Sequence, residues 1–484
     1  MFLQNLRHTA YIEGSAPVTS YMQWSYEADG AVYSSPAVVG DRVYVGSRDG
    51  FLYCLDAFTG REVWKYETGG EVWSSPAVVD GKVYFGSWDG YVYCLDSSNG
   101  DLIWKYMVGN NTDSSPAVAG GRVYIGSGDN CTYCLDAYDG SLVWRYRTGD
   151  AVQSSPSVVD GKVYVGSLDG FVYCLDAYDG GSVWSYETEV AVRSSPSVVD
   201  GRVYVSQYTW IWCLDAHSGG LVWERALGGW YFGYRPAWCS SPAVAYGRIY
   251  VGSWDENIYC LDPVSGDTVW NYTTRNDVKS SPAVADGKVY VGSEDGDFYC
   301  LDAHNGSLVW RYDTEASMVS SAAVAHGRVY VGTGLRKVYC FGAEKAASNI
   351  SCSPSDLSIV VGGSITVSGS ITPTLSGETV TLKYSNWDDR TTFNTTVTTG
   401  SDGSFSDLFT PETTGHWVVS ASWEGDAVHK GAYSLRHFDV EEPDQPIDRT
   451  INFVKAVLYL AAIPVGILVV VVIVVLTARK RRKM

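Results

Sequence analysis

The chain has 484 residues, which at about 150 residues per domain suggests about three units. Hydrophobic residues make up 45% and aromatic residues 14%, which excludes a disordered chain. Lys and Arg number 35 against 54 Asp and Glu, a net charge of −19. That excludes nucleic acid as a partner, because backbone binding runs on cations.

A short N-terminal segment, residues 1–19, precedes a repeat that runs over residues 20–343. Eight of the 11 cysteines (Cys54, Cys94, Cys134, Cys174, Cys213, Cys260, Cys300 and Cys340) sit in the phrase Tyr-Cys-Leu-Asp or a close relative. Eight of the 18 tryptophans keep step: Trp24, Trp64, Trp104, Trp144, Trp184, Trp223, Trp270 and Trp310. A Ser-Ser-Pro phrase recurs at Ser34, Ser74, Ser114, Ser154, Ser194, Ser240 and Ser280, and the copy at Ser320 reads Ser-Ser-Ala. These serines number the repeats from 1 to 8. The period is 40, with one step of 46 between Ser194 and Ser240. Within repeat 2, the turn signals Asp80-Gly81, Asp89-Gly90 and Asn99-Gly100 separate four alternating, apolar runs. Each repeat therefore predicts four short antiparallel strands, A to D. Eight such units predict an all-β fold, an eight-bladed β-propeller of four-stranded blades.

The phrase LDAFTGREVWKYETG (Leu55–Gly69) resembles the tryptophan motif of the PQQ-like, or pyrroloquinoline-quinone-type, repeat propellers. All eight copies agree in phase, and the resemblance implies the same eight-bladed fold. Phase also predicts the closure of the ring. The chain opens with a lone Trp strand around Trp24 and ends its repeats at Phe341 with strands A, B and C only. The N-terminal strand is expected to complete the last blade, which removes an open sheet edge.

The repeated Cys reads as a small buried hydrophobe, and the repeated Trp as a wedge between blades. Cys131, Cys239 and Cys352 stand outside the series, and the sequence leaves their pairing open. Asp49, Asp89, Asp129, Asp169, Asp255 and Asp295 recur in Gly-Ser-x-Asp phrases and read as turn formers.

Variation between copies marks one rim of the ring. The residue before each Ser-Ser runs Tyr33, Trp73, Asp113, Gln153, Arg193, Cys239, Lys279 and Val319. Strand A is innermost in a propeller, so this ring is expected to line the channel mouth. The B–C turns on the same rim carry Arg48, Trp88, Gly128, Leu168, Trp254, Glu294 and Leu335. A D–A loop on that rim is lengthened, with seventeen residues from Trp223 to Ser240 where ten are usual. It carries Trp230, Tyr231, Phe232, Tyr234 and Trp238. Two readings stand: the loop folds inward and plugs the channel, or it forms a face of stacked rings for a ligand. The candidate ligand-binding set is Tyr33, Trp73, Asp113, Gln153, Arg193, Lys279, Trp88, Trp254, Trp230, Tyr234 and Trp238. Rings beside hydrogen-bonding groups suit a glycan or a peptide, and a cation could rest on ring faces.

The resemblance raises a quinoprotein dehydrogenase as an alternative. Such enzymes use an adjacent Cys-Cys pair, acidic calcium ligands and a catalytic Asp. The chain has no adjacent Cys pair, and its seven histidines show no metal-ligand spacing. No cofactor, no metal site and no catalytic residue are expected.

Residues 349–440 predict a second all-β unit, with strands at Ser364–Ser368, Thr379–Tyr384, Thr392–Thr398, His416–Trp423 and Ser434–Val440. The phrases ITVSGSITP and GHWVVSASWEGD resemble immunoglobulin-like modules of archaeal or bacterial surface proteins, which implies an Ig-like β-sandwich acting as a spacer. Residues 441–455 form a polar linker. Residues 456–478 are 23 uncharged positions, about 34 Å of helix against a hydrocarbon core of about 30 Å, so a single transmembrane helix is predicted. Residues 479–484 begin with five basic side chains and read as a cytoplasmic tail. The propeller and the sandwich are then outside. No export signal is visible in residues 1–20, so an N-terminal signal is expected upstream of the given sequence. The sequence reads as a membrane-anchored, non-catalytic surface protein binding a glycan, peptide or protein. A scaffold for envelope protein assembly is the second reading. Oligomeric state is not encoded in any pattern found.

Overall fold

Repeat 2 shows how the sequence makes a blade. Its strands are Ala77–Val79, Lys82–Gly86, Tyr91–Asp96 and Leu102–Met107, hydrogen-bonded in chain order as an antiparallel meander. Asp80 and Gly81 join the first two with φ of 50° and 73°, the left-handed pair that a two-residue hairpin needs. Strands B and C alternate without leaving a wet face: Val83, Tyr84 and Phe85, then Val92, Tyr93, Cys94 and Leu95, are all buried. A blade packed between two neighbours has no solvent side, and its central strands lose the simple alternation of an exposed sheet.

The structure is a computed structural model that describes residues 11–12, 16–228, 239–343, 347–425 and 429–443. Two units are present, Met1–Glu344 and Lys345–Met484. The first is a β-propeller, all-β and built from repeated four-stranded antiparallel sheets. Among the described residues it holds seven four-stranded sheets and one of five strands. Strand Tyr21–Glu27 pairs with Lys337–Gly342, so the N-terminal strand completes the sheet of repeat 8. The fifth strand was not foreseen. Tyr11–Ile12 adds in parallel to strand A of repeat 7, and nearby the Tyr290 hydroxyl donates to the Pro17 carbonyl at 2.7 Å.

Two repeated contacts join the sheets. The rings of seven of the eight strand-D tryptophans lie against a loop glycine of the next sheet. A Cβ on Gly100, where φ is 79°, would sit 2.7 Å from the Trp64 ring. The indole N–H then reaches the next sheet: Trp24 Nε1 to the Ala57 carbonyl at 3.0 Å, Trp144 Nε1 to Ala177 at 3.2 Å, Trp270 Nε1 to Ala303 at 3.1 Å. Trp310 has no such glycine ahead of it, because repeat 8 takes its fourth strand from the N-terminus. Its ring packs on Phe298 and Phe341 instead.

The second contact is a belt of serines around the axis. The amide of Ser35 donates to the hydroxyl oxygen of Ser75 at 2.8 Å, and Ser75 donates to Ser115 at 2.9 Å. The series continues through Ser155, Ser195, Ser241 and Ser281 to Ser321. Ser321 donates back to Ser35 at 3.0 Å, and the belt is closed. The first serine also bonds: Ser114 Oγ accepts the Gly126 amide of its own sheet at 2.9 Å, while Ser280 and Ser320 donate to the carbonyls of Ser320 and Ser34 in the next sheet, both at 3.1 Å. Among the described residues none of the eleven cysteines, Cys131, Cys239 and Cys352 included, forms a disulfide.

The second unit has a three-stranded sheet (Asn349–Pro354, Ile365–Thr372, Ser404–Phe409) and a five-stranded sheet (Ser358–Val360, Thr379–Asn386, Thr392–Thr398, Gly415–Gly425, Lys430–Glu441). Both contribute to one core that includes Ile365, Val367, Tyr384, Phe405, Trp417 and Val419. Three of these strands were not foreseen, at 349–354, 358–360 and 404–409. They are short, and two are polar: Asn349–Pro354 reads NISCSP, and Asp407 in the third is drawn in by the Tyr384 hydroxyl at 2.8 Å. Among the described residues no helix is long and apolar enough to cross a membrane. The predicted span, residues 456–478, lies outside the described residues.

Candidate functional site

The residue before each Ser-Ser phrase stands two positions before the belt serine, on the segment that leads into strand A. Tyr33, Trp73, Asp113, Gln153, Arg193, Cys239, Lys279 and Val319 therefore line one cavity, with Ser35, Ser75, Ser115, Ser155, Ser195, Ser241, Ser281 and Ser321 as its floor. Its volume is about 70 Å³, well below the roughly 300–1,000 Å³ of small-molecule sites.

The space is small because the ring side chains bond to one another. Arg193 Nε donates to Gln153 Oε1 at 3.0 Å, and Gln153 Nε2 donates to Asp113 Oδ2 at 2.9 Å. The other Asp113 oxygen accepts the indole N–H of Trp88. Burial pushes the Asp113 carboxyl up to about 6, against the opposing pull of the Trp88 and Gln153 hydrogen bonds and of Arg193. Beside this chain is an aromatic stack. Trp88 lies parallel to Trp73 at 5.2 Å, and Tyr33, tilted by 43°, meets Trp73 at 4.9 Å. The Arg48 guanidinium caps Trp73 at 5.2 Å and grips Glu71 through two hydrogen bonds, at 2.8 and 3.2 Å. That grip holds the Glu71 carboxyl below its usual range. Across the mouth, Lys279 Nζ donates to Glu294 at 2.7 Å and lies over Trp254 at 4.8 Å. Cys239 Sγ accepts the Tyr208 amide at 3.4 Å. Desolvation holds its thiol up to about 12, which denies it thiolate chemistry near neutral pH.

The structure brings Tyr33, Trp73, Asp113, Gln153, Arg193, Lys279 and Trp88 of the candidate set together at one mouth. Trp254 is buried, edge-on to Tyr208 and beneath Lys279. A shortened turn in repeat 5 lets Tyr208 reach over it, which spacing within repeat 6 alone could not reveal. Trp230, Tyr234 and Trp238 lie outside the described residues. The polar groups expected to meet a ligand are engaged with each other, and Trp88, 39% exposed, is the open ring of the stack. The serine floor was missed as part of the site. Its signal was present, since the second serine of the phrase is kept in all eight copies while the residue two positions before it varies.

Fold and site together define a PQQ-like repeat β-propeller with an asymmetric channel mouth. The chain belongs to the family described as outer membrane protein assembly factor BamB, whose model matches residues 17–109, 88–229 and 208–345. Among solved structures, it is similar to BamB from Moraxella catarrhalis, with TM-score 0.56, 19% identity, and coverage of 67% of this chain and 97% of that one. It is also similar to a europium-containing methanol dehydrogenase, with TM-score 0.62, 14% identity, and coverage of 71% and 97%. A quinohemoprotein alcohol dehydrogenase from Comamonas testosteroni gives TM-score 0.61 and 16% identity, over 71% and 80% of the two chains. Identities this low show the shared fold alone. No curated protein matches the chain.

The residues at the mouth do not fit a quinone and its metal. The adjacent cysteine pair is missing from the sequence. Among the described residues no group of three or more His, Cys, Asp or Glu side chains could hold a metal ion. Asp113, the one acid of the ring, already has both oxygens bonded to Trp88 and Gln153.

Proposed function

We propose that this chain is a non-catalytic scaffold for envelope protein assembly, an eight-bladed propeller whose channel-mouth rim docks a partner protein. The single observation carrying this reading is the self-bonded ring. Its side chains fill the channel to about 70 Å³, yet Trp88 stays exposed above the stack and Arg48 is also exposed beside it. Such a mouth suits a surface laid across it better than a small molecule inserted into it. Exposed aromatic and Arg side chains are the residue types that anchor protein interfaces. The family description, an outer membrane protein assembly factor, supports a protein partner over a glycan.

In this reading residues 349–440 are an Ig-like spacer, residues 441–455 a linker and residues 456–478 a membrane anchor. The propeller is held outside a single membrane, with residues 479–484 in the cytoplasm. The 23 uncharged residues and the basic tail motivate that topology. Protease added to intact cells should remove the propeller and leave the tail; a propeller that is protected until the cells are lysed contradicts the orientation.

A further inference from the structure

A second site lies between repeats 4 and 5. A cavity of about 420 Å³ is lined by Trp210, Trp212, Tyr186, Glu187, Glu189 and Glu224, among others. The two indoles are stacked at 6.2 Å and 22°. Trp212 Nε1 donates to Glu224 Oε2 at 3.1 Å. Glu187, Glu189 and Glu224 are exposed at the cavity's edge.

The repeats supply their own comparison. Trp210 and Trp212 are two apart on strand C and share a face; their counterparts are Phe51 and Tyr53 in repeat 1, and Tyr91 and Tyr93 in repeat 2. Opposite the second ring in the strand-D register stands Lys65 in repeat 1 and Lys105 in repeat 2. In both, the ammonium rests on the ring pair: Lys65 Nζ is 5.0 and 5.6 Å from the Phe51 and Tyr53 centroids, and Lys105 Nζ is 4.5 and 5.8 Å from Tyr91 and Tyr93. In repeat 5 the register partner of Trp212 is Glu224. The internal cation is gone, its place is taken by an acid, and both rings are enlarged to indoles, the strongest cation–π partners.

A second device has changed with it. In repeats 1 and 2 the Tyr53 and Tyr93 hydroxyls are tied to Asp49 and Asp89 of the B–C turn, at 2.9 and 2.6 Å. Repeat 5 has neither the tyrosine nor that aspartate, and Trp212 turns its N–H to Glu224. Across the groove, burial together with the charges of Glu224 and Glu189 raises the Tyr186 hydroxyl above its ordinary range. The rings and the acids therefore share one cavity.

From this we infer that the groove between repeats 4 and 5 binds an alkylammonium group, as a free amine or as a lysine side chain of a partner, in the place that Lys65 and Lys105 fill in their own repeats. The ammonium lies on the Trp210 and Trp212 faces with Glu224 as its counter-charge. This site is separate from the channel mouth and does not depend on the assembly reading.

The test is isothermal titration of the full chain at low salt with three probes: n-butylammonium, the peptide Gly-Gly-Lys-Gly-Gly with blocked ends, and the same peptide acetylated on Nζ. Saturable binding of both cationic probes supports the inference. Binding of the blocked lysine peptide alone supports it too and assigns the source to a protein segment. Acetylation should abolish binding. Glu224→Lys should weaken it at least about tenfold by restoring the internal cation of repeats 1 and 2, and those repeats show that the fold accepts Lys here. Glu224→Gln, which keeps the side-chain size, should weaken binding in the same direction. Binding by neither cationic probe, equal binding of the acetylated peptide, or unchanged binding in both Glu224 variants overturns the inference.

Discussion

Asp113 is the residue on which the channel mouth turns. Its carboxyl is buried, and burial raises it to about 6. In the unfolded chain an aspartate releases its proton near pH 4. Between about pH 4 and pH 6 the folded chain holds a proton that the unfolded chain has lost, so this group's contribution to stability falls as pH rises through that window. The ionised form costs about 3 kcal/mol, at about 1.4 kcal/mol per pH unit of displacement. Asp113→Asn should therefore flatten the change in urea midpoint between about pH 4.5 and pH 7, relative to the unmodified chain. The amide also turns a donor toward Gln153, which lowers stability by a pH-independent amount. Parallel pH profiles for the two proteins would mean that Asp113 titrates as an exposed carboxylate. The position was legible from sequence as the one acid of a variable ring. Its bonds to Trp88 and Gln153 were not, because they cross from one repeat to the next and depend on rotamers that spacing does not fix.

At the scale of elements, the strands followed from alternation and turn signals wherever a repeat was intact. The N-terminal strand of residues 21–27 was legible for the same reason: Trp24 arrives in phase but without its three partners. The pairing of Tyr11–Ile12 with repeat 7 was not legible, since two residues carry no periodicity. In the second unit the apolar strands were visible, while NISCSP was hidden by its polarity and its Pro. The serine belt is one of the two repeated contacts that join the sheets into a ring. Removing one hydroxyl leaves the preceding amide buried and unbonded. Ser115→Ala should cost about 1–3 kcal/mol through the orphaned amide of Ser75, read as a lowered unfolding midpoint. Ser182→Ala, at an exposed position of the strand Ser182–Glu187, is the control, with a much smaller expected change. Equal shifts for the two variants would mean that the belt adds nothing beyond an ordinary surface hydroxyl.

For the whole molecule, repetition made the architecture readable and departure from repetition made the sites readable. The seventeen-residue step, the ring of unlike side chains and the acid at Glu224, where repeats 1 and 2 have lysine, are all places where the copies part from one another. Which departures face a partner was not readable, because the sequence does not say whether polar groups at the mouth are open or already bonded. The propeller answers that for Asp113, Gln153 and Arg193, and it leaves Trp88 exposed on the rim. The claim that this rim docks a protein is tested most directly by a photo-cross-linking residue placed at position 88 in the full chain in cells, with position 138 on the opposite rim as control. The account predicts a discrete protein adduct from position 88 that is lost when Arg48 and Tyr33 are changed to Ala, and none from position 138. Adducts from position 138 alone, or an adduct from position 88 that survives those changes, would contradict it.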